Sequence, residues 1–248
     1  MSQSTTTRLH PIAGLRAIRN LKRNREDTRQ VFLLMDALRC KTTLRQFARF
    51  RQTETGQAVL VERRRLLDRL RDRERLTALA PGTLGRAYHE FMATENLSAE
   101  GLVEASQFRK KLLPQADLTL FRERNREMHD LLHVVAGYGR DPLGEACLAA
   151  FSFAQTRLKG FAVIAIVAAH RISRARPGHA VRRAVLEGYR HGRSAEWLIA
   201  ADWEKLMAEP VDVIRARYRV TPPHRYPKVL AAIRAEQAAK VSPAAAAA

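Results

Sequence analysis

Apolar residues recur along this chain three and four positions apart, the spacing of helices, and no stretch shows the two-residue alternation of a strand. Asp27 is placed to N-cap a helix running to about Cys40, and Thr42 or Thr43 opens another that reaches Arg51. A long charged helix is expected from about Gln57 to Leu79. Pro81 suits the first turn of a helix to Glu95, and Ser98, with Gly101 and Leu102, begins a shorter one. Asp117 caps a helix that ends near Gly137, and Asp141-Pro142 starts the next, which extends to Ile172. After the interruption at Arg176-Pro177-Gly178, helices are expected at about 179–191, 194–208 and 210–218, and Pro222-Pro223 ends the series. The final AAIRAEQAAKVSPAAAAA can start as helix and then fray. The pattern predicts an all-α fold, a single helical domain of about nine to ten helices without internal repeats. Its expected boundaries are a flexible basic N-terminus at 1–15, the domain at 16–221 and a partly helical to disordered tail at 222–248.

The chain has 248 residues and 46% hydrophobic content, enough for one sizeable core. Its two cysteines, Cys40 and Cys147, form no CxxC pair, which argues against a disulfide scaffold or zinc ribbon and fits a reducing compartment. The longest apolar run, residues 160–169 (GFAVIAIVAA), is about half a bilayer span and reads as a buried helix. No apolar stretch of signal-peptide length precedes the domain. Residues 1–25 carry Arg and Lys but no acid. That composition resembles a transit peptide, while the spacing of Ile12, Leu15, Ile18 and Leu21 equally suits a basic amphipathic helix at a membrane surface.

A formal charge of +19 leaves three readings: a solvated basic face, an anionic membrane surface, or nucleic acid. In residues 62–76 (ERRRLLDRLRDRERL) acids alternate with arginines at ion-pairing spacing, and Leu66, Leu67 and Leu70 form a short stripe. The solvated helix packed by that stripe ranks first, lipid headgroups second. Nucleic acid ranks last, because no zinc finger, helix-turn-helix or aromatic RNA-binding strand is present.

Chemistry concentrates in residues 129–145, HDLLHVVAGYGRDPLGE. His129 and His133 lie four residues apart, about 40° apart on one helix face, with Asp130 beside them. A turn containing Gly137, Gly139 and Pro142 can fold the chain back and bring Glu145 to the same point. Two imidazoles and two carboxylates form an ordinary ligand set for a divalent metal. The alternative is a pair of partly buried histidines capped by neighbouring carboxylates. The apolar flank of Met128, Leu131, Leu132, Val134 and Val135 favours the metal, because burying such groups unpaired is costly. Two adjacent antiparallel helices would then hold the site between them. Arg122, Asn125 and Arg126 share the face of His129 and could bind an anionic substrate head, against a reading as surface arginines. Ser152, with Leu148 and Ala149, continues the face of Glu145 and could leave room for a lipid tail, against a reading as close helix packing. Cys147, two residues from Glu145, should point away into the core.

The His-Asp-x-x-His pattern, eleven residues, then Glu, resembles the signature of the coenzyme Q (ubiquinone) biosynthesis protein 4 family. GTLGRAYHEFM (82–92), GEACLAAFSFAQ (144–155), YRHGRSAEWLIAADWEKLMAEPVDVIRARY (189–218) and DTRQVFLLMDAL (27–38) are similar to further blocks of that family, so the likeness spans roughly residues 16–220. The resemblance implies an all-helical fold and one divalent metal, with zinc first and iron, manganese, cobalt or magnesium as alternatives. It implies His129, Asp130, His133 and Glu145 as both ligands and catalytic centre. It also implies a polyprenylated quinone precursor as substrate, with the ring carboxylate at carbon 1 replaced by hydroxyl. Expected partners are an anionic membrane surface, other ubiquinone-biosynthesis enzymes and a second copy of the chain, with no nucleic acid. The expected location is peripheral, on the cytoplasmic face of a bacterial inner membrane, since arginine dominates the 44 basic residues as in GC-rich genomes, or on the mitochondrial matrix face in a eukaryote.

Four functions follow in order. The first is metal-dependent oxidative decarboxylation, in which zinc acts as a Lewis acid only, whereas iron, manganese or cobalt permits redox participation. The second is a non-catalytic lipid-binding scaffold organising other enzymes. The third is a nucleic-acid binder with steep salt dependence. The fourth is a His-Asp phosphohydrolase, which needs further ligands that nothing around His89 or His170 supplies.

Overall fold

The structure, a computed structural model, describes residues 42–94 and 116–245, with side chains to residue 239. The expected helices at Asp27–Cys40 and after Ser98, and the basic N-terminus, lie outside the described residues. Among the described residues there are twelve α-helices and no strand. They are α1 (Thr42–Phe50), α2 (Glu54–Val61), α3 (Leu66–Arg71), α4 (Arg73–Ala78), α5 (Leu84–Thr94) and α6 (Ala116–Ala136). Then come α7 (Pro142–Thr156), α8 (Lys159–Ala175), α9 (Val181–Ser194), α10 (Trp203–Leu206), α11 (Val211–Arg217) and α12 (Arg225–Ala245), with a 3-10 turn at Leu198–Ala200.

The long charged helix expected at 57–79 is instead three short ones. Arg63 takes a left-handed φ of 54°, and Asp72 caps α4 through the Arg75 amide. The breaks let Leu66, Leu67, Leu70 and Leu76 all reach the core, which a single straight helix carrying this charge could not arrange. The backbone amide of Leu67 donates to the buried Glu127 carboxylate at 3.1 Å, so α6 holds the start of α3. Burial pushes the Glu127 carboxyl above its ordinary value, against the opposing pull of Arg126.

Asp141 accepts from the amides of Leu143 and Gly144, and Pro142 follows, so α7 starts where its capping residues place it. It ends sooner than expected. Arg157 turns left-handed at φ 56°, and α8 begins afresh at Lys159. The expected helix at 194–208 reduces to the 3-10 turn and the single turn of α10, because Gln155 bonds the Gly192 carbonyl at 2.7 Å and the Leu198 amide at 2.9 Å.

α7 packs mainly along α9 and α8 rather than along α6. A β-carbon on Gly188 would stand 2.5 Å from the Cys147 carbonyl oxygen, and one on Gly192 2.5 Å from that of Phe151, so the α7–α9 backbones are nearly in contact. Gly192→Val is expected to destabilise the fold by about 1–3 kcal/mol or more, read as a lower denaturant midpoint. α8 corrects the expectation of a buried helix. It is half-buried rather than fully buried: Gly160, Ala165 and Ala169 are sealed, Phe161, Ile164 and Ile172 pack partly buried against the core, and Ile166 is 69% exposed. α12 seats Tyr226, Val229 and Ile233 against the core. No helix among the described residues is long and apolar enough to cross a membrane.

Candidate metal centre

Helix α6 ends beside the start of α7, and the turn between them begins at Gly137, whose φ of 75° suits the left-handed position after a helix. Arg215 of α11 closes that end by donating to the carbonyls of Val135 at 2.8 Å and Val134 at 3.1 Å. His133 lies in the last turn of α6 and Glu145 in the first turn of α7. The two helices therefore meet at their connected ends, a narrower contact than a full antiparallel pair.

Ligand atoms of His129, Asp130 and His133 all lie within 4.8 Å of one another. Glu145 adjoins this trio through His133, its Oε1 standing 3.5 Å from His133 Nε2. His133 is buried, stacked on Phe91 at 5.3 Å and edge-on to His129 at 4.8 Å. Its Nδ1 donates to the Tyr138 carbonyl at 2.8 Å, since a carbonyl only accepts. In the neutral ring Nε2 then carries a lone pair and no proton. It is buried without a hydrogen-bond partner and faces a carboxylate oxygen. Two acceptors facing each other require a proton or a cation between them.

The electrostatics describe the other case, in which a proton rather than a cation lies between His133 and Glu145. Burial opposes charge on His129, but the Asp130 hydrogen bond and charge outweigh it, with Glu145 adding to them, and raise the imidazole above its ordinary value. Burial likewise opposes ionisation of Glu145, yet His133, His129 and Arg140, whose Nε is 3.7 Å away, hold its carboxyl below the ordinary value. Asp130 is buried with its Oδ1 3.4 Å from His129 Nδ1. The residues present thus fit a divalent cation: an oriented imidazole, a second imidazole and two carboxylates.

The expected substrate residues are less clearly gathered. Arg122, Asn125 and Arg126 are half-buried on α6. Asn125 Oδ1 is buried without a hydrogen-bond partner, and Arg126 reaches Glu127 at 3.0 Å. Ser152 is sealed in the core about two turns beyond Glu145, its Oγ likewise unpartnered. Cys147 is buried in the core, as expected. A surface depression of about 440 Å³ lined by Leu186, Tyr189, Arg190, Arg193 and Ser194 contains none of the four candidate ligands. The Tyr138 carbonyl, Arg140, Phe91 and Arg215 escape sequence reasoning. Tyr138 and Arg140 lie in the glycine-rich turn, and Phe91 and Arg215 in the blocks 82–92 and 189–218, with nothing in their residue type to mark a role.

The fold and site define an all-helical protein with a cluster of His, Asp and Glu side chains where α6 meets α7. A family model described as Coenzyme Q (ubiquinone) biosynthesis protein Coq4 matches residues 12–224. The chain belongs to that family, whose role is in ubiquinone biosynthesis. A ubiquinone biosynthesis protein COQ4 homolog, mitochondrial, from Danio rerio is 26% identical over 211 residues, which cover 85% of this chain and 74% of the fish protein. The mitochondrial ubiquinone biosynthesis protein coq4 of Schizosaccharomyces japonicus is 27% identical over 167 residues, 67% of this chain and 68% of that one. A crystal structure of a candidate ubiquinone biosynthesis protein from Nostoc punctiforme PCC 73102 superposes with a TM-score of 0.63 at 27% identity, covering 86% of this chain and all of the other.

Proposed function

We propose that His129, Asp130, His133 and Glu145 hold a divalent metal, zinc first, and that the protein oxidatively decarboxylates a polyprenylated hydroxybenzoate precursor of ubiquinone. The observation that carries the metal reading is the buried His133 Nε2 lone pair facing Glu145. When bound there, the ion supplies Lewis acidity to the ring phenol or carboxylate, lowering the barrier to loss of carbon dioxide. The Tyr138 carbonyl holds His133 in one tautomer, and Phe91 holds its ring plane. Arg122, Asn125 and Arg126 lie half-buried on α6 before His129, where a carboxylate head would meet them, and Ser152, buried in the core, is the residue assigned to the tail. The overall change takes a ring carboxylate and water to a phenol and carbon dioxide, releasing one proton and two electrons to dioxygen or another acceptor.

The same reading seats the protein, as a homodimer, peripherally against an anionic membrane surface beside other ubiquinone-biosynthesis enzymes, which its charge of +19 supports. The membrane face is cytoplasmic in a bacterium and matrix in a mitochondrion.

The test is turnover. Metal-reconstituted protein and its Glu145→Ala variant meet a carboxylated polyprenyl-phenol in air, and extracted lipids are read by mass spectrometry. Carboxylate loss with the wild type alone is expected, together with lower metal occupancy in a folded Glu145→Ala. Intact substrate co-purifying with both proteins would overturn catalysis in favour of a lipid-holding scaffold.

A further inference from the structure

The helix that begins at Arg225 starts just past the family match, which ends at residue 224, yet it reaches the candidate centre from behind. The Tyr226 hydroxyl is buried between two polar groups of the α6–α7 turn. It accepts from the Gly139 amide at 3.0 Å and donates to Asp141 Oδ2. The other oxygen of Asp141 caps α7 through the Leu143 and Gly144 amides, each at 3.1 Å. Glu145 follows one residue later, its own amide bonded to the Asp141 carbonyl at 2.9 Å. The Tyr226 ring meets the Tyr138 ring edge-on at 5.4 Å, and the Tyr138 carbonyl is the acceptor that sets the His133 tautomer. One side chain therefore touches both residues on which the two facing ligands depend.

We propose that Tyr226 is a positioning residue for the metal centre, setting the approach of Glu145 to His133 by tying Asp141, Gly139 and Tyr138 to α12. This rests on the metal reading of the previous subsection. Tyr226 touches no ligand atom. Its hydroxyl decides whether the cap of α7 and the turn carrying Tyr138 hold one arrangement. Without it, Asp141 loses a donor and is free to rotate away from the α7 amides, and the half-buried Gly139 amide loses its acceptor. The ligands would remain present but less well aligned; a direct outer partner of a metal ligand typically costs roughly 10–100-fold in affinity, and Tyr226, one contact further out, falls at the low end.

The experiment uses the full chain and two readouts, zinc affinity by competition with a chromophoric chelator and the visible absorption of the cobalt(II) form. Tyr226→Phe removes the hydroxyl and keeps the ring. It is expected to weaken zinc binding by up to about 10-fold, the low end for a direct outer partner, and to change the cobalt bands. Val229→Ala, on the same helix and buried, serves as the structural control. It should lower thermal stability and leave affinity and spectrum unchanged. If Tyr226→Phe binds zinc as the wild type does with the same cobalt spectrum, while Glu145→Ala loses it, the positioning role is wrong and the metal reading stands. If Val229→Ala perturbs both readouts as much as Tyr226→Phe, α12 acts only through general stability, and the role is equally overturned. If the wild type takes up neither metal, the metal reading itself fails and takes this role with it.

Discussion

His133→Ala is expected to abolish tight metal binding in a protein that still folds. The loss should exceed the roughly 10–100-fold that follows from disturbing a ligand's outer partner, because a coordinating atom itself is removed. Of the four candidate ligands His133 is the one whose protonation geometry is fixed by the chain: Nδ1 is committed to Tyr138, so Nε2 has no other role than to face Glu145. Removing the ring also removes the stack on Phe91, so a second variant separates packing from ligation. Phe91→Leu keeps every donor and should retain metal within a few-fold while lowering stability slightly. Metal content by elemental analysis and affinity by chelator competition decide the matter. If His133→Ala keeps wild-type affinity, the trio is a hydrogen-bonded core cluster and not a metal site.

Much of this site is legible from residue types and spacing alone. The His129–His133 pair needs only the helical period to share a face, and Asp141-Pro142 announces the start of α7, which puts Glu145 in its first turn. What spacing cannot show is which atom faces which. The main-chain carbonyl of Tyr138 carries no sequence signal, and Arg140 and Arg215 look like many other arginines in a chain of charge +19. Arg215 acquires its role only because the fold brings α11 against the last carbonyls of α6.

Helix boundaries follow the same division. Where a cap and a proline coincide, as at Asp141-Pro142, the boundary is where the sequence places it. At Arg157 nothing local marks the stop. The chain turns left-handed there without glycine or proline, because tertiary packing of α8 across α7 outweighs a modest local strain. The acid–base alternation of residues 62–76 equally suits one long helix, and only the need to bury four leucines breaks it. The apolar run at 160–169 misleads for a related reason. Hydrophobicity predicts full burial, but Gly160, Ala165 and Ala169 are the residues that fit the closest approach, so Phe161 and Ile164 pack beside them only partly buried and Ile166 faces outward.

The largest expected stability effect lies away from the ligands, at Arg124. This side chain is 1% exposed, with Nη2 2.7 Å from Glu204 Oε2 and 3.1 Å from the Ala201 carbonyl. Glu204 is nearly as buried, on the single turn of α10, which is too short to hold itself by its own hydrogen bonds. The pair thus anchors the segment after α9 to the middle of α6. Arg124→Ala removes one partner and leaves a carboxylate buried without a counter-charge, for which a loss of about 3–5 kcal/mol is expected. That is a large share of a typical domain stability of about 5–15 kcal/mol. The cost comes from the stranded charge rather than from the attraction lost, so removing both charges should be milder than removing one. Arg124→Met with Glu204→Leu keeps the volume and should recover most of the loss. Urea unfolding of the single and double variants, compared at equal m-value, reads the difference directly. A double variant as unstable as Arg124→Ala alone would mean that α10 is held by the guanidinium bond to Ala201 and not by charge balance.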